Sequence, residues 1–569
     1  MKINNITKSF GAILLAGGMM ACSSDYLDLT PDFQVSAGDV TESESALTLA
    51  TYGLCRGMYC QYGGGSWSNW YNGEPMWQQT FGEAPGQDFV FYFWEYRGRS
   101  IPQWTAMDDN SSQYDYQGWM YCYYLISTAN NLLPADNDKV EGEVAFRMAE
   151  AYTIRAHAYV HLLQMYGPRW QDSNNGQALS VVLRLLPTAE EPQDSPLVSM
   201  NEVLNQIYSD LDRALELYQK SGWVRDYLWE PDMEVAYGVY ARAALLKNDW
   251  QKAYNMAKNA MATSAANIGA GLMSIEEYEY SPFNEDYNPE FLWGSSNTEQ
   301  NLYWWSSYSI TGVNAGYTTN WAILGAGAVN YDLYKQVYNP NDVRCQRFFT
   351  PDKVSEDLQS DFWNGNVFQP LSGLTINLKS DSQVVNEYKA YNAMMTAKIG
   401  RPNGFPNGAY TTAAGASCNI PFGGHYKFWC NSNYGSGTFP YMRYSEMLLT
   451  AAEAAYQIGN GPEAQSLVDQ LQENRIEGYT SPALSGEALY DYIKLVRRWE
   501  LWGEGFNFFD FKRWNQPIVR NAWVEGDSNS GNWDAMLKGT LNTNANHGWK
   551  WVVPEEETNY NNAVSPSDN

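Results

Sequence analysis

The 569-residue chain is short of positive charge and of histidine: 36 Lys and Arg stand against 64 Asp and Glu, a formal net charge of −28, and only four residues are His. A field of that sign repels polyanions before contact, which argues against nucleic acid, anionic lipid surfaces and strongly anionic glycans as partners. After the N-terminus no apolar run approaches the ~20 residues needed to span a bilayer. Seven cysteines include no Cys-x-x-Cys, so neither a thioredoxin-like site nor a zinc ribbon is signalled. There is no phosphate loop and no Gly-x-Ser-x-Gly. The Asp/Asn-rich turns lack an EF-hand pattern, which leaves a structural calcium ion without support. His157 and His161 are spaced to share one face of a helix. Yet His-Ala-Tyr-Val-His lacks the Glu that serves as base in His-Glu-x-x-His, and the pair falls in what reads as buried repeat core. They are assigned to structure, and no metal or cofactor is expected. A glycosidase needs two carboxylates at a defined separation, and 64 acids select no pair.

What is present begins with a targeting segment. Lys2 and Lys8 supply charge, Phe10 to Met20 an apolar run, and Gly-Met-Met-Ala leads to Cys22. A small residue directly before a Cys resembles a bacterial lipoprotein processing site, although Met19 stands where Leu is usual; secretion with cleavage elsewhere is the alternative. Residues 1–21 are then a signal peptide, and residues 22–40 a lipid-bearing Cys22 and its tether. Six cysteines remain, and export permits disulfides. Cys55 with Cys60 and Cys418 with Cys430 are the nearest pairs, with buried free thiols as the other reading.

Aromatic residues make up 15% of the chain, and their placement is uneven. From Ser66 to Trp104, Trp67, Trp70, Trp77, Trp94 and Trp104 fall among Gly, Pro, Asn and Gln without helical spacing. A second such region, Tyr287 to Trp321, carries Trp304 and Trp305 and ends at Trp321. Rings so placed either fill an irregular core or form an exposed stacking surface. Around them run helical patterns at about 41–58, 117–133, 141–165 and 199–218, the last opened by the capping box Ser199-Met-Asn-Glu202. Helix 232–247 turns at Asn248-Asp249 into 250–261, and helix 444–458 turns at Gly459-Asn-Gly461 into a helix with Pro462 in its first turn. Paired short helices with Ala and aromatic packing positions follow the logic of tetratricopeptide repeats. The pattern predicts one domain over 41–569. Its helical scaffold is mainly 41–60, 117–262 and 441–514, and its loop-rich aromatic regions are 62–110 and 273–440.

Several segments together carry a resemblance. They are Tyr26-Leu-Asp-Leu-Thr-Pro31, Trp119 to Asn131, Tyr152 to Pro168, Asp249-Trp250 and Asn288-Pro-Glu-Phe-Leu-Trp293. Two longer ones are more specific: Arg443-Tyr-Ser-Glu-Met-Leu-Leu-Thr-Ala-Ala-Glu-Ala454, and Arg497 to Trp514 with Arg-Arg-Trp-Glu-Leu-Trp-Gly-Glu-Gly-Phe-Asn at its head. In this order the chain resembles the SusD/RagB family, surface lipoproteins that bind nutrients for a SusC-like TonB-dependent transporter. Trp499 departs from the charged residue usual there. After Pro554-Glu-Glu-Glu557, the family's Gln-Asn-Pro-Gly-Tyr ending is missing.

The resemblance implies a mostly α fold, in which four tetratricopeptide-like helical hairpins support an irregular, loop-rich ligand face with little β structure. It also implies ligand sites on loops in the first quarter and near the middle of the chain, which are the two aromatic regions. The leading site residues are therefore Trp77, Trp94, Trp304, Trp305 and Trp321, with Trp67, Trp70, Asn69, Asp88 and Arg97 secondary. Trp119, Trp250, Trp499 and Trp514 are assigned to structure. The expected function is non-enzymatic capture of a neutral oligo- or polysaccharide, such as a glucan, at the outer surface of the outer membrane, and its delivery to the transporter. A peptide or host-glycoprotein glycan as ligand, and a surface glycosidase, are the alternatives.

Overall fold

The computed structural model describes residues 44–59, 73–91, 100–134, 139–279, 288–297, 327–353, 437–524, 530–542 and 549–566, with isolated positions at 283 and 527 and short pieces between 355 and 428. Cys22 and the N-terminal segment lie outside them. The fold is mostly helical. Helix α1 (Glu44–Gly57) packs on α3 (Gly142–Tyr166), as does α2 (Gln113–Asn130). Helices α3 and α4 (Met200–Ser221) form an antiparallel hairpin: Phe146 and Thr153 meet Tyr218 at one end, and Arg155 holds Asp210 at 2.8 and 2.5 Å towards the other.

Local chemistry sets the ends of these elements. At the start of α4 the Ser199 hydroxyl accepts from the Glu202 amide, and the Glu202 carboxylate accepts from the Ser199 amide at 3.0 Å. Helices α5 (Met233–Leu246) and α6 (Trp250–Ile268) turn through Asn248 at φ +58°, with Asp249 as cap. Helix α6 continues past the expected stop to Gly269, the first residue that takes a left-handed conformation without penalty. Helices α7 (Tyr444–Gln457) and α8 (Gly461–Glu473) turn at Gly459, with Asn460 as cap and Pro462 in the first turn. The chain closes the scaffold with α9 (Gly486–Glu500) and α10 (Asn507–Trp514).

The array is interrupted in sequence but continuous in space. Helix α6 lies along α7 although the whole 273–440 region separates them, and Ala244, Ala253 and Ala454 meet in a fully buried cluster where α5, α6 and α7 approach. Side chains larger than methyl would hold these axes apart.

Among the described residues the strands form five two-stranded antiparallel ribbons. Two of them flank the candidate site. Strand β1 (Phe89–Phe91) pairs with β3 (Gly327–Val329), in the register Phe89 with Val329 and Phe91 with Gly327. Strand β2 (Phe291–Asn297) pairs with β4 (Gly437–Arg443), from Phe291 opposite Arg443 to Asn297 opposite Gly437. No described helix is long and apolar enough to cross a membrane. Cys55, Cys122 and Cys345 are buried free thiols; Cys60, Cys418 and Cys430 lie outside the described residues.

Three of the sequence segments quoted above converge on one buried charge network. Arg443 contacts Glu290 at 2.5 Å, Glu504 at 2.7 Å and Glu500 at 3.3 Å; Arg475 contacts Glu290 and Glu500 at 2.5 and 3.0 Å. Arg344 joins Asp342 to Glu500 at 2.8 and 3.1 Å, and Lys427 reaches Glu504 at 2.6 Å. The cations Arg344, Lys427, Arg443 and Arg475 match the anions Glu290, Asp342, Glu500 and Glu504, so the interior carries no net charge there. Trp499, the departure noted above, closes this region: it stacks on Phe348 at 5.2 Å and donates to Asp342 at 3.2 Å. Trp119 is also buried, as expected, while Trp250 and Trp514 are half-buried.

Glu83 is the exception to this pairing. It ends a π-helical turn, Gln78–Glu83, and accepts from the Gly505 amide at 2.6 Å, while its other oxygen has no partner. Burial, opposed by the Gly505 N–H and by Lys427 and reinforced by Asp88 and Glu504, pushes its carboxyl up to about 8. A folded pKa above the unfolded one means that the folded state retains a proton the unfolded chain has lost. The stability this gives is complete below about pH 4.5 and disappears as pH rises through about 8. Glu83→Gln mimics the protonated acid. Its melting temperature should match wild type at pH 4 and exceed it by several degrees at pH 9, within a ceiling of ~5 kcal/mol. A constant difference across that range would contradict the assignment.

Candidate functional site

Of the ten sequence-predicted ligand residues, Trp67, Asn69, Trp70, Trp94, Arg97, Trp304, Trp305 and Trp321 lie outside the described residues. The other two, Trp77 and Asp88, are interior, and both assignments are corrected.

Trp77 is 1% exposed. It follows Gly73, whose φ of +90° turns the chain into the short helix Glu74–Trp77. Its ring stacks on His161 at 4.4 Å and meets the edge of Phe81 at 5.0 Å, while Phe81 in turn meets Trp551. A ring this deeply buried has no surface left for a sugar.

Asp88, also 1% exposed, is a structural anchor. Arg498 grips its carboxylate with two bonds of 2.8 and 2.7 Å, and Asn507 donates a third. Its backbone carbonyl accepts from the Trp502 indole at 2.7 Å and from the Asn330 amide at 2.9 Å. Thus the Arg497–Trp514 segment holds the point from which β1 leaves. Trp104 serves the same base: at φ +62° it donates to Pro85 at 2.8 Å and, with Trp533, sandwiches the Arg520 guanidinium at 4.4 and 4.2 Å.

The described flanks of the two aromatic regions meet at this anchored base. The chain enters 92–99, with Trp94 and Arg97, directly from Phe91, and returns from 298–326, with Trp304, Trp305 and Trp321, directly into Gly327. Phe91 and Gly327 are register partners. Composition could not reveal that pairing, because it depends on a long-range ribbon of three residues a side.

The structure adds an exposed aromatic surface that the sequence analysis did not single out. Between α4 and α5, Trp223 is 43% and Tyr227 52% exposed. Tyr227 stacks on Trp229 at 5.1 Å with planes 7° apart, and Trp229 meets the edge of Tyr52 at 4.8 Å. Strand β2 runs beside this cluster: Trp293 donates to the Trp229 carbonyl at 3.1 Å, and Gly294 to that of Leu228 at 3.3 Å. The available signal was Gly222-Trp-Val-Arg-Asp-Tyr-Leu-Trp229 between two helices, three rings within seven residues.

One described group has the composition of a metal site. His157 and His161 are buried in α3 as expected, and they face Glu74. His157 Nε2 lies 2.9 Å from Glu74 Oε1, and His161 Nε2 lies 3.0 Å from Oε2. Tyr121 donates to Oε1 at 2.8 Å. Burial alone pushes the Glu74 carboxyl up, but the His161 and His157 rings outweigh it and hold it well below the usual carboxylate range. Burial pushes the His157 imidazole down to about 4, against the pull of Glu74. The Glu missing from the His-x-x-x-His sequence is thus supplied by a distant element.

A family profile described as "SusD family" matches residues 275–567, and one described as "Starch-binding associating with outer membrane" matches residues 25–245. A SusD-like protein P2 of Formosa agariphila is 24% identical over 444 residues, 74% of each chain. A SusD-like protein of Bacteroides ovatus is 24% identical over 295 residues, which span 50% of this chain and about half, 46%, of that protein. Among solved structures, a SusD-like carbohydrate-binding protein from Bacteroides vulgatus superposes with a TM-score of 0.67 at 20% identity, covering 93% of this chain and 98% of its own. A SusD superfamily protein from Bacteroides thetaiotaomicron gives 0.64 at 19% identity, covering 92% and 99%. These neighbours share the fold, and the profile that spans more than half of the chain shows its family: the chain belongs to the SusD family.

Proposed function

We propose that this protein is a non-enzymatic lipoprotein, anchored through Cys22 at the outer face of the outer membrane, that binds a neutral oligo- or polysaccharide and passes it to a SusC-like TonB-dependent transporter. The observation that carries the reading is the register pair Phe91–Gly327, which roots both aromatic regions at one anchored base. Trp94 is three residues beyond Phe91, and Trp321 six before Gly327. A sugar presents a flat, slightly electropositive C–H face, which an aromatic ring covers. If one contact buries ~60 Å² of apolar surface at ~25 cal/mol/Å², it contributes on the order of 1.5 kcal/mol, about tenfold in affinity. Single sugars then bind weakly, and a polymer that crosses several rings binds better.

The test is calorimetric titration of the chain from Ser23 onward against neutral and acidic polysaccharides and peptides, with product analysis after long incubation. Trp94→Ala and Trp304→Ala should each lower affinity for the bound glycan about tenfold, with circular dichroism unchanged. Full affinity in both variants would move the site elsewhere, with the Trp223–Trp229 surface next to be tested. Sugar released by pure protein would make it a glycosidase, and binding of peptide alone would replace the ligand class.

A further inference from the structure

We propose that Glu74, His157 and His161 bind one divalent transition-metal ion, zinc by the chemistry of the donors, as a staple between the base of the first aromatic region and the helical scaffold. The inference is independent of the ligand reading above.

Two imidazoles from one helix and a carboxylate from another converge. One donor atom from each lies within 4.8 Å of the others, and all three residues are buried. His157 and His161 stand i, i+4 on α3, so their rings emerge one above the other. Glu74 comes from the opposite side, at the first residue of its short helix, with its backbone amide bonded to the Met58 carbonyl. Around zinc, with ligands at about 2.0–2.2 Å in a tetrahedron, neighbouring donors sit roughly 3.4 Å apart. The carboxylate-to-imidazole separations here are 2.9, 3.0 and 3.2 Å. The carboxylate need withdraw by only a few tenths of an ångström to admit the ion.

The surroundings suit a bound ion. His161 Nδ1 lies 3.2 Å from Gln164 Oε1. When Nδ1 donates there, the neutral ring presents the Nε2 lone pair on the carboxylate side, as a metal ligand must, whereas an imidazolium would donate from both nitrogens; the zinc measurement below separates the two. His157 Nδ1 lacks a partner whichever ligand state holds, so it does not discriminate. The Tyr121 hydroxyl orients the carboxylate, Trp77 covers His161, and the edge of Trp293 covers His157 at 5.0 Å. Such an outer shell of a hydrogen bond and aromatic walls is what holds metal ligands in place. Imidazole donors exclude calcium and magnesium and suit zinc, with cobalt and nickel as substitutes. The chain has only four histidines, and two of them are here.

The experiment uses the chain from Ser23 onward, dialysed against EDTA, then given zinc or cobalt both in the native state and during refolding. The expected result is one equivalent of zinc retained by elemental analysis, visible d–d bands with cobalt, and a melting temperature raised by at least ~3 °C in excess zinc. Glu74→Gln, which keeps the shape and the Tyr121 contact, and His161→Asn should each lower zinc retention at least tenfold while circular dichroism shows the same helix content. Less than a tenth of an equivalent bound by wild type, native and refolded, would overturn the proposal. So would retention that survives both substitutions.

Discussion

Replacing Glu500 with Ala should cost at least about 4 kcal/mol of stability, enough to prevent recovery of folded protein. Glu500 is fully buried and accepts from Arg344 at 3.1 Å, from Arg475 at 3.0 and 3.1 Å, and from Arg443 at 3.3 Å. Removing it leaves four cations against three anions inside the protein. Arg443 retains Glu290 and Glu504, and Arg344 retains Asp342, so the excess charge is shared and not expelled. Glu500→Gln should be less damaging, because the amide oxygen still accepts one bond. Burial pushes the Glu500 carboxyl up, but Arg475, Arg443 and Arg344 outweigh it and hold it well below the usual range. A depressed folded pKa gives stability that is present above the unfolded value of about 4.5 and is lost as pH falls. Urea midpoints of wild type and Glu500→Gln should therefore converge as pH drops below about 4.5. Equal midpoints at pH 7 would show that the network adds nothing.

Gly82→Ala is the second large effect, about 3 kcal/mol or more. A Cβ at Gly82 would lie 2.1 Å from the Gly505 carbonyl oxygen and 2.5 Å from its Cα, backbone atoms that cannot rotate aside. Gly505 is equally constrained: its φ is +87°, and a Cβ there would meet Gln78 at 2.6 Å. This back-to-back contact seats the π-helical turn on the 501–505 turn, with Gln79 donating to Gly503 at 2.9 Å. Asp88 and β1 follow directly, so the substitution should also weaken glycan binding. Gly53→Ala is the control. It lies on the exposed face of α1 with nothing within 4 Å of the new carbon, and should stabilise by about 0.5–1 kcal/mol. Thermal melts of both variants decide; a Gly82→Ala protein as stable as wild type would mean that the two turns do not touch.

Element boundaries were legible wherever a few neighbouring residues decide them. The Ser199–Glu202 box, the Asn248-Asp249 turn and the Gly459-Asn-Gly461-Pro462 restart each satisfy their own amides within a turn of helix, and each stands where expected. The Ala-rich faces were equally readable, since Ala253, Ala257 and Ala260 recur at helical spacing and are all buried.

The candidate site was legible only in outline. Trp77 and Trp94 sit in the same kind of sequence, yet a ring is buried when another element covers it, and Trp77 is covered by His161 from α3. Asp88 reads like a hydroxyl-recognising carboxylate until Arg498, far along the chain, closes on it. His157 and His161 are incomplete within their own helix, because the group that faces them, Glu74, comes from a distant element.

By itself, then, the sequence determined the helices, their caps, the hairpins and membership of a family, because these rest on hydrogen bonds and periodicities within a few residues or on motifs in fixed order. Tertiary structure alone decided which aromatic rings are core, which carboxylates are anchors, and that Phe91 meets Gly327 and Glu74 meets two histidines. Those outcomes depend on contacts between distant segments, whose loop-closure cost is recovered only when the whole scaffold has packed.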